Sequence, residues 1–250
     1  MPRLPLILFD IDGTLLRTGD PTHGRSVTVA CREVFGVEGD LRRTDHAGRT
    51  DRRILQAILA SYDIPLERSA ERLPEAFACM EDYVERELPP SLAERVLPGV
   101  PELLAALAER DLALGLVTGN LPRIAAAKLS RAGIWAPFAA EGGGIGGYGD
   151  VSADRADLVR AALVQAEAAL GRPVPAAAAV IVGDTPHDIA CGRDCAARTV
   201  GVATGRFTAA ELRDCGADLV LDDLTDRQTF LEFVALSGER SEVSDQRSDE

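Results

Sequence analysis

Pro5-Leu6-Ile7-Leu8-Phe9-Asp10-Ile11-Asp12-Gly13-Thr14 sets an unbroken apolar run directly against two aspartates and a glycine. A run without polar alternation reads as a strand buried on both faces, and the Asp-Ile-Asp-Gly step that ends it reads as a turn. Strands buried on both faces belong to parallel sheets covered by helices. The stretch therefore predicts an α/β fold with two carboxylates at the mouth of its first strand.

Working outward, the segment from residue 18 to 95 changes to helical spacing, as in Ile54, Leu55, Ile58 and Leu59, then Phe77, Met80, Tyr83 and Val84. After Leu97-Pro98-Gly99 the rhythm alternates. Residues 101–110 read as a helix and 112–117 as a strand reaching Thr118-Gly119-Asn120. Pro122 opens a helix that Gly133 closes. A third strand is expected from Phe138, followed by the glycines at 142, 143, 144, 146, 147 and 149 as a flexible turn. A helix over 153–170, a strand over 178–182, a helix from Pro186 and strands over 199–202 and 218–221 complete the alternation. This order implies a doubly wound parallel (Rossmann-like) sheet built from residues 1–15 and 96–236, with a helical insert over 16–95. The tail 237–250 has one apolar residue, Val243, and is expected to be disordered.

Charge narrows the function classes. Forty acidic side chains against 27 basic ones give a net charge of -13, so a nucleic-acid backbone would be repelled over most of the surface. An anionic small substrate must then be held by local donors and a cation. No apolar run approaches the ~18 residues of a membrane span, and the run 4–9 is too short for a signal sequence. The five cysteines are odd in number and scattered, which fits reduced thiols in the cytoplasm. Cys191 and Cys195 share helical spacing, but no second Cys or His pair accompanies them as zinc ligands.

Three strands end in acids or hydroxyls: Asp10 and Asp12 after the first, Thr118 after the second, and Asp184 with Asp188 after the run 178–182. Ligands of open parallel sheets bind beyond the carboxyl ends of the strands, where these groups can converge. Singly, each Asp can equally cap the following helix. Two anions two residues apart repel unless a cation or proton joins them, and several carboxylates in one crevice suit Mg2+, which takes oxygen ligands and shares its shell with phosphate. His23 and His46 lie in polar stretches and read as solvated, and His187 reads as a surface residue near a helix start.

Together, Asp10-Ile11-Asp12-Gly13-Thr14, Val117-Thr118-Gly119-Asn120 and Gly183-Asp184-Thr185-Pro186-His187-Asp188 resemble the haloacid dehalogenase superfamily, and the insert resembles the α-helical cap of its phosphoglycolate-phosphatase-like members. The resemblance implies Mg2+-dependent hydrolysis of a small phosphorylated metabolite through a phosphoaspartate at Asp10, with Asp12 as general acid and base. It also implies a metal site of Asp10, the Asp12 backbone carbonyl, Asp184 and Asp188, and substrate contacts from Thr14, Thr118, Gly119 and Asn120. The alternatives are β-phosphoglucomutase-like phosphoryl transfer on the same nucleophile and a non-catalytic regulatory protein on the same fold. Oligomeric state is not legible.

Two cations stand out. Arg49, in Ala47-Gly48-Arg49-Thr50-Asp51, resembles the substrate-facing cap loop, against the alternative of a solvated arginine. The Lys-Pro step that many relatives carry before the last motif is missing, and Lys128 is the only lysine in the chain. By resemblance it supplies the catalytic ammonium that bridges Asp10 and a phosphate oxygen, with Arg155 as the rival contact, against the alternative of a helix-end cation.

Overall fold

The computed structural model describes residues 5–44, 47–139 and 144–235. Its strands are Leu6–Phe9 (β1), Ala113–Val117 (β2), Ile145–Gly147 (β3), Ala179–Gly183 (β4), Arg198–Val202 (β5) and Leu219–Leu221 (β6). All pairings are parallel, in the order β3-β2-β1-β4-β5-β6. The chain therefore builds outward from β1 to β3 on one side, then returns to β4 on the other side of β1 and builds outward again. The point of reversal lies between β1 and β4, where Phe9 stands opposite Val182 and the Asp10 N–H donates to the Val182 carbonyl at 2.9 Å. A doubly wound sheet opens a crevice at that position, beyond the carboxyl ends of its strands.

The central strand serves both layers. Ile7 and Phe9 face one core, where Phe9 meets Phe138 edge-on at 6.2 Å and stacks on Phe230 at 6.3 Å. Leu6 and Leu8 face the other, against Leu158, Val159 and Ala162. All four strand residues are fully buried. Fully burying each such side chain contributes about 1.5–3 kcal/mol, which explains why no polar residue interrupts the run.

Between β1 and β2 the chain forms Pro21–Phe35 (α1), Asp51–Ala60 (α2), Leu66–Glu87 (α3) and Val100–Ala108 (α4). The first begins at Asp20, whose side chain accepts the Thr22 N–H, and ends at Gly36 in the left-handed region that glycine favours. The second is capped by Thr50, whose hydroxyl accepts the Arg53 N–H at 3.1 Å. Val27 and Cys31 of α1 share a core with Leu73, Phe77 and Met80 of α3 at helical spacing. The insert leaves and returns side by side, with Leu16 bridged to Val96 and the Arg17 N–H donating to the Arg95 carbonyl at 2.7 Å.

The remaining helices are Pro122–Ala132 (α5), Arg155–Leu170 (α6), Pro186–Asp194 (α7) and Ala209–Asp214 (α8), followed by a helical segment over 227–235. The glycine-rich stretch corrects the sequence reading. Residues 136–138 are a 3-10 turn, and the third strand lies within the glycines expected to form a flexible turn. A Cβ on Gly147 would stand 1.9 Å from the Leu158 carbonyl oxygen, so α6 can cover this edge strand only where side chains are absent. The helix α8 and the 227–235 segment carried no expectation. Gly142, Gly143, His46 and the tail 237–250 lie outside the described residues.

Candidate active site

Asp10 follows β1 and Asp184 follows β4, so the sheet reversal sets the two carboxylates side by side. Asp188 joins them from the first turn of α7, and the three offer carboxylate oxygens all within 4.8 Å of one another. All three residues are buried. Burial pushes Asp10 up to about 6, with Asp188 and Asp12 adding to the rise and Arg155 opposing it. Burial, then Asp188 and Asp10, push Asp184 up to about 8, again against Arg155. Such a cluster is short of positive charge.

Glycines leave room for the acids. A Cβ on Gly205 would stand 1.7 Å from Asp184 Oδ2, and one on Gly13 (φ +96°) would stand 2.3 Å from it. Asp188 also closes the capping box of α7, where its Oδ2 accepts the Thr185 N–H at 3.0 Å and hydroxyl at 2.6 Å. Its Oδ1 stands 2.5 Å from Arg155.

Arg155 opens α6 and is 7% exposed. Its Nη2 is 3.0 Å from Asp10 Oδ1 and donates to the Val117 carbonyl, while Nη1 donates to the Gly48 carbonyl, each at 3.1 Å. Lys128, in α5, is equally buried but holds a different acid. Its Nζ is 2.7 and 3.0 Å from the two Asp12 oxygens, 2.8 Å from Asn120 Oδ1 and 3.0 Å from His23 Nδ1. The expectation that Lys128 bridges Asp10 is thus corrected: Arg155, at the start of α6 against the end of β2, meets Asp10, whereas Lys128 meets Asp12. Burial raises Asp12, but Lys128, then His23, and hydrogen bonds from Lys128 and Asn120 outweigh it and hold the carboxyl below its ordinary value.

Thr14 and His23 depart from expectation. Thr14, expected at substrate, is fully buried with its hydroxyl 3.5 Å from Asp184 Oδ1, so it lies behind the acids. Thr118 is fully buried and its Oγ1 accepts from Asn120 Nδ2 at 2.8 Å and more weakly from the Asn120 N–H at 3.4 Å. The helix α5 follows Leu121 without a side-chain cap, so the Thr118 hydroxyl is not taken up by that helix. His23 is not solvated: its Nε2 lies 2.9 Å from Asp51 Oδ1 and its Nδ1 faces Lys128. His187 is half-buried beside Gly48.

Asp10, Asp12, Asp184, Lys128 and Arg155 all reach the lining of a cavity of about 430 Å³. Asp10, Asp12 and Asp184 line its sheet side, with Gly119 and Asn120 beside them, and His23, Arg49 and Ile54 line it from the insert. The insert's contact with the sheet is close. A Cβ on Gly119 would stand 2.1 Å from the Arg49 carbonyl oxygen, and the Asp51 N–H donates to the Gly119 carbonyl at 2.8 Å. Arg206 also lines the cavity and no sequence signal marked it.

A doubly wound sheet with a cluster of acids at its point of reversal defines an α/β enzyme of the acidic-crevice kind. Residues 7–193 match the model of the haloacid dehalogenase-like hydrolases, and the chain belongs to that family. It is 28% identical over 240 residues to the probable phosphatase IndB of Dickeya dadantii, covering 92% of each chain. It is 29% identical over 224 residues to the phosphoglycolate phosphatase of Agrobacterium fabrum, covering 89% of this chain and 90% of that one. A hydrolase from Pseudomonas syringae superposes with a TM-score of 0.62 at 25% identity, over 91% of this chain and 98% of that one.

Proposed function

We propose that this chain is a magnesium-dependent phosphatase of the haloacid dehalogenase superfamily that hydrolyses a small phosphorylated metabolite in the cytoplasm through a phosphoaspartate at Asp10. The observation that carries the reading is the buried trio Asp10, Asp184 and Asp188 at the sheet reversal, with Arg155 as its near cation. Two curated relatives covering about nine-tenths of the chain carry the name phosphatase. The insert 16–95 serves as the cap that closes over substrate.

The trio fits a hard divalent cation. Its oxygens lie close enough to share one ion, Gly13 and Gly205 leave Asp184 room, and burial and mutual repulsion hold Asp10 and Asp184 above the ordinary carboxylate range. Asp10 and Asp184 would hold Mg2+ together with the Asp12 carbonyl, and Asp188 supports them while pinned by Thr185 and Arg155. Bound there, the ion would offset phosphate charge so that an anion can be attacked by an anion.

The Asp10 carboxylate attacks phosphorus, the bond to the leaving oxygen breaks, and that oxygen takes a proton from Asp12. Water then gives a proton to Asp12, attacks the acyl phosphate and frees Asp10. The ionised Asp12 of the resting site is the form the second step needs. A phosphate dianion entering the cavity is a like charge beside Asp12 and favours the protonated form that the first step needs. Arg155 positions Asp10, and the backbone of Gly119 and Asn120 faces the phosphate.

Phosphate release from p-nitrophenyl phosphate, measured with and without Mg2+ and then across small phosphorylated metabolites, tests the reading. Mg2+-dependent release is expected. Release that is unaffected by a chelator would count against it.

A further inference from the structure

The Lys128 ammonium carries three protons and meets three partners: Asp12 through both oxygens, Asn120 Oδ1 and His23 Nδ1. It is 2% exposed, and no donor remains for a fourth acceptor. Facing an ammonium, His23 Nδ1 must accept, so the ring proton sits on Nε2 and donates to Asp51. Asp51 is 1% exposed and is itself fixed, since one of its oxygens accepts the Leu121 N–H at 3.0 Å and its own N–H donates to Gly119. The result is a continuous chain, Asp51 to His23 to Lys128 to Asp12. Its first two members come from helices α2 and α1 of the insert and its last two from the sheet domain.

We propose that His23, oriented by Asp51, is a positioning residue of the insert that acts through Lys128 on Asp12. This rests on the phosphatase reading, in which Asp12 transfers the protons. His23 supplies the acceptor that holds the ammonium on the Asp12 side of the cavity, and Asp51 selects the ring tautomer able to do so. Without His23 one ammonium donor is unpaired in a buried site and turns towards whatever anion is nearest, so the Asp12 carboxylate loses its fixed direction. Because His23 and Asp51 belong to the insert, the proton-transfer group is correctly set only while the insert is seated on the sheet domain.

The test compares an alkyl phosphate, whose leaving group needs a proton, with p-nitrophenyl phosphate, whose leaving group does not. His23→Ala should lower kcat/KM, which reports the displacement of the leaving group and not the shared hydrolysis of the acyl phosphate, about 100-fold on the alkyl phosphate, the scale of lost acid–base assistance, and much less on the aryl phosphate. His23→Asn, whose amide oxygen can stand near the Nδ1 position, should recover part of the alkyl activity. KM for the alkyl phosphate should stay near that of the wild type. Independently of activity, ring nitrogen NMR of the wild type at about pH 8, where histidine is ordinarily neutral, should show the proton on Nε2. Equal losses of kcat/KM on the two phosphates, no rescue by Asn, or a proton on Nδ1 would each overturn the proposal. If the wild type hydrolysed neither phosphate while the ring proton sat on Nε2, the failure would lie in the phosphatase reading.

Discussion

The Arg155 guanidinium joins Asp10 to Asp188, with Nη2 3.0 Å from Asp10 Oδ1 and 2.5 Å from Asp188 Oδ1. A planar fork can meet two carboxylates at once, which a lysine ammonium in the same place would do with less directional control. The arginine therefore answers the missing Lys-Pro step of the sequence.

Removing this cation leaves the buried acids facing one another. Arg155→Ala is expected to destabilise the metal-free protein by about 3–5 kcal/mol at neutral pH, as when one partner of a buried pair is deleted. Near pH 4, the ordinary carboxylate range, protonation of the acids should shrink the deficit. Urea titrations at the two pH values measure it, and a deficit equal at both would contradict the account.

The same acids set a pH dependence. Asp10 and Asp184 have folded-state values raised to about 6 and about 8, so the folded protein keeps protons that the unfolded chain has shed. Their contribution is whole below the ordinary carboxylate range and is lost as pH rises through those values. Asp12, held low, acts oppositely and its contribution fades as pH falls. Mg2+ competes with protons for the acids, so the rise in Tm on adding Mg2+ should be larger at pH 8 than at pH 6. A larger rise at the lower pH would reverse the sign and sink the argument.

Gly205 faces Asp184 with no room for a methyl group, since its Cβ would lie 1.7 Å from Oδ2. Gly205→Ala must displace the carboxylate, and Mg2+ affinity should weaken at least about tenfold, as for other disturbed ligand supports. Calorimetric titration with Mg2+ reads it directly. An unchanged affinity would remove Asp184 from the metal site.

Arg49 lines the cavity on a loop whose carbonyl is pressed against Gly119. Arg49→Ala should raise KM for the physiological phosphate more than for p-nitrophenyl phosphate, because beyond its phosphate the aryl ester offers no anionic group for the guanidinium to hold. Steady-state kinetics on both substrates checks this, and equal effects would deny Arg49 a part in specificity.

How much was legible depended on whether the cause was local. The run Leu6–Phe9 and the aspartate that ends it sit next to each other in sequence, so a buried strand and an acid at its mouth could be read directly. The same holds for Ala179–Gly183 and Asp184. The strand Ile145–Gly147 is not legible in the sequence because its glycines answer to α6 lying across them, not to any preference of their own. The partner of Lys128 was equally hidden: Asp12 is 116 residues away, and single-residue geometry decides whether an ammonium meets Asp10 or its neighbour. His23 carried no pattern at all, since its role arises from Asp51 and Lys128 arriving from two other helices. The short helix Ala209–Asp214 has too few residues to show a period.

The central claim is that Asp10 becomes the phosphorylated residue. Turnover of p-nitrophenyl phosphate with Mg2+, stopped by rapid acid quench and followed by peptide mass spectrometry, measures it most directly. The account predicts one phosphoryl group on the peptide carrying Asp10 in the wild type, and neither that adduct nor turnover in Asp10→Asn of unchanged thermal melt. Wild-type turnover by Asp10→Asn, or a phosphoryl group on another residue, would contradict it.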